Sequence, residues 1–164
     1  MCLCTDNTSG FCGSVDAAMI VTLREVLSSI KRFGIKENNS IAVFGCGPVG
    51  LTFIRFMSLL GVHPIIAFDM VDEKVEDALA KGADYAFNSK NCDPNEEIHK
   101  ICPDGVQFVL DAVGLLPLIN SSMEYICDGG KMCCYGIAPK CSMELDWSKH
   151  HITGSFSSNS SQVK

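Results

Sequence analysis

Chemistry is concentrated in one six-residue stretch, Gly45-Cys46-Gly47-Pro48-Val49-Gly50, which has the spacing G-x-G-x-x-G. The spacing alone is weak evidence, because glycine is common. Its setting is specific: the apolar run Ile41–Phe44 leads directly into it and an apolar helical segment leaves it, as in loops that bind a dinucleotide pyrophosphate. Each position has a physical reason. Gly45 permits the tight turn from strand to helix, Gly47 lets the backbone approach the phosphates, and Gly50 lets the helix lie against the sheet. Pro48 falls in the first helical turn, where its missing N–H costs nothing. The helix start offers amide donors and a partial positive charge to an anion.

Asp69 stands 19 residues after Gly50, at the end of the next apolar run. A carboxylate there accepts hydrogen bonds from both hydroxyls of an adenosine ribose and repels a 2′-phosphate. No arginine follows it, so the expected cofactor is NAD rather than NADP. The blander alternative is that Asp69 caps a turn, but Asp72 is better placed for that. Cys46 has two readings: a thiol acidified by the helix start, whose oxidation would block the site, or an inert small side chain facing the core, the plainer of the two.

The elements needed to position these residues alternate along the chain. Residues 1–16 read as an irregular lead-in. Leu23, Val26, Leu27 and Ile30 trace a helix face that Gly34 closes. Strand Ile41–Phe44, helix Pro48–Leu60, strand Pro64–Phe68, helix Asp72–Lys81 with Val75, Ala78 and Leu79 inward, and a short strand over Tyr85–Phe87 follow. Asp93-Pro94-Asn95-Glu96 has the composition of a helix start. Strand Val106–Val113, helix Leu115–Cys127, a Gly129-Gly130 turn, strand Lys131–Tyr135, an edge strand near Met143–Trp147 and a last strand Ile152–Phe156 complete the order. Strands separated by helix-length segments imply an α/β doubly wound parallel sheet (a Rossmann fold) of about six strands, helices on both faces. The expected division is a dinucleotide-binding domain over 17–157 and a frayed tail over 158–164.

Composition narrows the field. The 164 residues suit one domain with a full core, and a formal net charge of −6 without a basic cluster argues against nucleic acid. No apolar stretch is long enough to span a membrane and the first residues lack a signal-peptide pattern, so the expected location is cytoplasmic. Ten cysteines fit neither zinc spacing nor a small disulfide scaffold, and read as reduced thiols. His63, His99, His150 and His151 are scattered and lack the partners a catalytic base needs.

From about Ala17 to Phe156 the chain resembles the cofactor-binding domain of medium-chain, zinc-type alcohol dehydrogenases, which include sorbitol and threonine dehydrogenases. The resemblance rests on GCGPVG, on Asp69 with Lys74 five residues later, on KGADYAFN (Lys81–Asn88), on DAVG (Asp111–Gly114) and on GGKMCCYGI (Gly129–Ile137). It implies that Lys74 contacts the adenosine ribose, that Ala112, Val113 and Gly114 lie on the adenine side, and that Gly136 and Ile137 lie by the nicotinamide. Ser155–Ser157 would approach its carboxamide, and 141–146 would be an edge through which two copies pair. The family chemistry is hydride transfer between an alcohol carbon and nicotinamide, with zinc polarising the alkoxide. The zinc-binding portion of such enzymes has no counterpart motif here, so the chain is expected to bind NAD(H) without turnover. Where polyol-type members carry a Glu-Pro pair, this chain has Ile20-Val21-Thr22. Val21 cannot hold zinc, and Cys12 is the nearest thiol that could.

Two other classes share part of the pattern. An S-adenosylmethionine-dependent methyltransferase also places a glycine loop after its first strand and an acid after its second, but predicts a reversed final strand. A non-catalytic NAD-sensing module would keep the loop and Asp69 and lack chemistry.

Overall fold

A computed structural model describes residues 14–114, 116–122, 124–136 and 155–158. Helix α1 (Ser14–Phe33) precedes strand β1 (Ile41–Phe44), helix α2 (Pro48–Leu59) and strand β2 (Ile65–Asp69). Helix α3 (Asp72–Lys81), strand β3 (Tyr85–Asn88), helix α4 (Pro94–Ile101) and strand β4 (Val106–Asp111) follow, then helix α5 (Leu116–Ser122), strand β5 (Ile126–Cys134) and strand β6 (Ser155–Ser158). The six strands form one sheet in the order β3-β2-β1-β4-β5-β6, every pairing parallel. Strand order reverses between β1 and β4, and a doubly wound sheet binds its ligand at such a point.

Burial explains the layering. All four residues of β1 are buried, so each face of this central strand meets a helical layer. Ile41 and Val43 pack with Val26, Ile30 and Phe33 of α1, Phe53, Ile54 and Met57 of α2, and Ala78 of α3. Ala42 and Phe44 turn to the other face, with Ile66, Phe68 and Val109, covered by Ile98 of α4 and Leu118 of α5. Aromatic rings stack there, Phe44 on Phe68 at 4.9 Å and on Tyr125 at 5.5 Å between centroids.

Several expectations need correction. Helix α1 begins at Ser14, so 14–16 are helical rather than irregular, and its buried face runs through Val26, Ile30 and Phe33 while Leu23 is exposed. Leu79 is also exposed, because only Ala78 of α3 reaches the core. Asp72 does not cap α3: Val71 holds the N-cap position, and Asp72 in the first turn accepts from the Asn88 side-chain amide. Asp93 caps α4 as expected, accepting from the Asn95 N–H at 2.9 Å. The helix expected to reach Cys127 stops at Ser122, and β5 begins at Ile126. Gly129-Gly130 lies inside β5, where the register against β4 shifts between the Val106–Ile126 and Phe108–Lys131 pairs. His63 pairs with Asp84 at 2.9 Å, and the His99 ring meets the Asn95 carbonyl, both away from the switch point. The expected edge strand near 143–147, the pairing segment 141–146, Cys12, His150-His151 and the tail over 159–164 lie outside the described residues.

Candidate functional site

The glycine loop joins β1 to α2 at the switch point, and its three glycines meet different surroundings. Gly45 has φ +97°, and a Cβ there would stand 2.5 Å from Val113 Cγ2. A Cβ on Gly50 would stand 1.8 Å from the Gly45 carbonyl oxygen. Around Gly47 nothing lies within 4 Å of such an atom, so its backbone faces open room. Thus two glycines fold the loop and the third leaves space above it. Gly47 is also the N-cap of α2; no side chain caps it, Pro48 fills the first turn, and the first turn itself carries no acidic residue.

Asp69 ends β2 beside this loop. One carboxylate oxygen accepts from the Cys46 N–H at 2.8 Å and the other from the Val71 N–H at 3.1 Å. The turn-capping role and a ribose-binding role are therefore compatible: the two amides fix the side chain at the strand tip and leave lone pairs on both oxygens. The Lys74 ammonium lies 4.0 Å from the carboxylate and is half exposed.

Of the two readings of Cys46, the structure agrees with the plainer one, a side chain facing the core, and not with an acidified thiol. Its side chain is buried and directed at the Phe68 carbonyl, 3.7 Å away. Burial, and then the Asp69 charge, push the thiol up to about 12, with Lys74 opposing weakly. Desolvation outweighs the helix terminus because the sulfur points into the core rather than along the helix axis. Val49 packs against the same core, so Cys46 and Val49 both support the loop from beneath.

The opposite wall is the turn after β4. Asp111 is 1% exposed, and its Oδ1 accepts from the N–H groups of Val113 at 2.8 Å and Gly114 at 2.9 Å. Its own carbonyl accepts from Tyr135 and Gly136, both at 2.9 Å. Gly136 passes so close that a Cβ would stand 2.1 Å from the Gly114 nitrogen. Asp111 thereby ties the 112–114 turn to the end of β5. Sequence reasoning assigned it no role, though an Asp two residues before a turn amide is the signature of an Asx turn.

Between these walls lies a cleft of about 700 Å³. It brings together Gly45, Gly47, Asp69, Lys74, Ala112 and Val113 of the expected site residues. Cys46, Pro48, Val49 and Gly50 support it, Gly114 and Gly136 stand behind Val113, and Ile137 lies outside the described residues. The cleft also reaches residues that carried no expectation: Ser121, Tyr125 and the aromatic floor of Phe44 and Phe68.

The site combines open backbone at a helix start, an anchored carboxylate and a largely apolar recess. A metal centre is a separate matter. Among the described residues no group of three or more His, Cys, Asp or Glu side chains is placed to hold a metal ion, and Val21, exposed on α1, offers only alkyl carbon. Among the same residues no helix is long and apolar enough to cross a membrane.

Comparison with known proteins agrees with this geometry. A family model described as zinc-binding dehydrogenase matches residues 48–164. An alcohol dehydrogenase of Cupriavidus necator is 33% identical over 104 residues, which are 63% of this chain and 28% of that protein. The chain thus spans under a third of the length of that curated relative. Two solved structures share the fold. An alcohol dehydrogenase from E. coli complexed with NADH superposes with a TM-score of 0.77 at 22% identity, covering 87% of this chain and 42% of that one. A zinc-binding dehydrogenase from Sinorhizobium meliloti bound to NADP gives 0.68 at 21% identity, covering 76% and 37%. Among the described residues the last strand, β6, runs parallel to β5, where the methyltransferase reading expected a reversed one.

Proposed function

The chain belongs to the zinc-binding dehydrogenase family, and from that premise we propose that it is the part of an alcohol or polyol dehydrogenase that holds NAD(H). The observation that carries this reading is Asp69, fixed at the tip of β2 by the Cys46 amide and facing a cleft whose other end is the open backbone of Gly47. The pyrophosphate lies over Gly47 and the start of α2, and the adenosine ribose hydroxyls bond to Asp69, with Lys74 beside them. Ala112, Val113 and Gly114 flank the adenine. Gly136, at the far side of the 112–114 turn, and Ile137 after it border the nicotinamide.

Bound nicotinamide supplies hydride transfer to or from an alcohol carbon. The contribution of this chain is to bind and orient. Gly45 and Gly50 fix the loop, α2 presents amides to the phosphates, and Asp111 holds the turn that separates the two halves of the cofactor. Asp69 favours NAD over NADP, because a 2′-phosphate would place two like charges at hydrogen-bond distance. Pairing of two copies through 141–146 and a reducing, cytoplasmic setting for the ten thiols belong to the same reading.

Isothermal titration of the 164-residue chain with NADH and NADPH tests it. NADH should bind, NADPH should bind at least roughly tenfold more weakly, and Asp69→Ala should cost about 1–3 kcal/mol of NADH binding, the scale of a hydrogen bond to a charged group. Equal affinity for the two cofactors removes the NAD assignment. An absence of binding to either removes the reading.

A further inference from the structure

At the opposite end of the sheet from the cleft, where the parallel strands begin, lies a second cavity of about 270 Å³. An irregularity in β5 makes room for it. Between the Val106–Ile126 and Phe108–Lys131 pairs, β4 supplies Gln107 alone while β5 supplies residues 127–130. The detour is tightly built: a Cβ on Gly130 would stand 2.9 Å from the Cys127 carbonyl oxygen and 3.0 Å from that of Gln107. Two side-chain amides are locked into the lining. The Asn39 side-chain oxygen accepts from the Lys36 backbone N–H at 2.8 Å, so its amino group is the one that donates to the Gln107 side-chain oxygen, at 2.9 Å. The Ser40 backbone N–H donates to that same oxygen at 3.1 Å. Backbone donors thus set both orientations, and the Gln107 amino group keeps two N–H donors with no partner among the described residues.

The charges agree with those free donors. Lys36 and Lys131 line the cavity against one acid, Asp128, on a chain whose formal net charge is −6. Among the described residues neither lysine makes an ion pair. Lys131 is half-buried and is held without spending its donors. Its ammonium lies 6.0 Å from the centre of the Phe108 ring, and a Cβ on Gly34 would stand 3.8 Å from it. Gly34 directly follows α1, and the partial negative charge at that helix end favours a cation.

We propose that this cavity is a second ligand site, which takes a small oxyanion, a carboxylate or a phosphate monoester, on Lys36, Lys131 and the Gln107 amino group. The assignment is independent of the NAD(H) reading, whose residues lie at the other end of the strands. A cation entering the cavity meets two ammonium groups and one carboxylate. An anion meets two ammonium groups and an unspent amide, with Asp128 alone opposing it. The volume is below the roughly 300–1,000 Å³ of sites for drug-sized ligands, which suits a small ion.

Amide NMR of the 164-residue chain, titrated with inorganic phosphate and separately with malonate at constant ionic strength, tests this. At least one anion should move the Gln107 side-chain amide and the Gly129 and Gly130 amides along one saturating curve. A response to phosphate alone assigns the phosphate monoester, and a response to malonate alone the carboxylate. The Gly47 amide reports separately on any anion held at the start of α2. Lys131→Gln should weaken the Gln107 curve by about fivefold, and Lys36→Gln by about two- to fivefold, the scale of single exposed charge pairs. Asp128→Asn should tighten it by about twofold. That gain cannot come from misfolding, so it decides the matter if Lys131→Gln fails to fold. A Gln107 response that stays linear in both anions, a response confined to Gly47, or affinities unchanged by all three substitutions overturns the proposal.

Discussion

The two walls of the cleft are built by opposite means. The wall from β1 to α2 is made of missing side chains: Gly45 and Gly50 let backbone meet backbone, and Gly47 leaves room above. The wall after β4 is made by one side chain, the buried Asp111 carboxylate, which gathers the Val113 and Gly114 amides while its carbonyl gathers those of Tyr135 and Gly136. The first wall is fixed by sterics and tolerates no added atom at two positions. The second is fixed by hydrogen bonding and tolerates no lost acceptor. If that contrast is right, insertion should damage one wall and deletion the other.

The largest effect should come from adding one carbon to the first wall. Gly50→Ala places a Cβ 1.8 Å from a backbone oxygen, which cannot swing aside as a flexible side chain would. The loop must open or α2 must lift from the sheet, at a cost of roughly 3 kcal/mol or more. Gly47→Ala is the internal control. Its new atom meets nothing and its φ of −72° suits any residue, so stability should stay within about 1 kcal/mol of wild type. NADH affinity should nevertheless fall by roughly tenfold, since the methyl group stands where the pyrophosphate approaches. Urea unfolding together with cofactor titration separates the two. Equal stability losses would end the claim that the three glycines have different tasks.

Removing the acceptor from the second wall should cost somewhat less. Asp111→Ala strands the Val113 and Gly114 amides in a partly buried turn, for about 2–4 kcal/mol, whereas Asp111→Asn keeps an oxygen in place and should recover at least half of the loss. A merely space-filling Asp111 would make the two variants alike in chemical denaturation.

The first wall was legible from local spacing, whereas the second was named only through the family resemblance, which gave Ala112, Val113, Gly114 and Gly136 but no role for Asp111, for the same reason that the walls differ physically. Glycine spacing, a preceding apolar strand and an acid at the next strand end are local signals, so Gly45, Gly47, Gly50 and Asp69 could be placed together. The boundaries of β1 and α2 followed almost to the residue. Asp111 looks like any aspartate at the end of a strand until its burial is known. Tyr125 fell within the helix expected over Leu115–Cys127 for a related reason. With Leu118, Ser122 and Ile126 it satisfies a helical period, but Ile126 is already paired with Val106, and Gly130 must run so close to β4 that a Cβ would stand 3.0 Å from the Gln107 carbonyl oxygen. Tertiary pairing overrode periodicity, and the Tyr125 end of the cleft was hidden with it.

Cys46 gives the smallest effect and the sharpest check on the first wall, as the one side chain in that turn whose position on the chain and placement in space disagree. At a helix start its thiol should ionise easily; buried against the Phe68 carbonyl and the Asp69 carboxylate, it is pushed up to about 12. At pH 8 its thiolate fraction is then of the order of 10⁻⁴, so an alkylating agent should modify the native protein at the half-buried Cys92 well before Cys46, and peroxide should leave NADH affinity unchanged. The sign for stability follows from the folded value lying above the unfolded one. The neutral thiol's contribution is complete below about pH 9 and is lost as pH rises towards 12, because unfolding releases a proton that the folded state retains. Cys133, raised by burial in the same direction, adds to that slope. The thermal midpoint should therefore fall above pH 9, and Cys46→Ala should flatten part of the fall without altering the midpoint's pH dependence below pH 8. Fast alkylation at Cys46 would mean that the sulfur looks along α2 after all, and that this wall is not made of backbone alone.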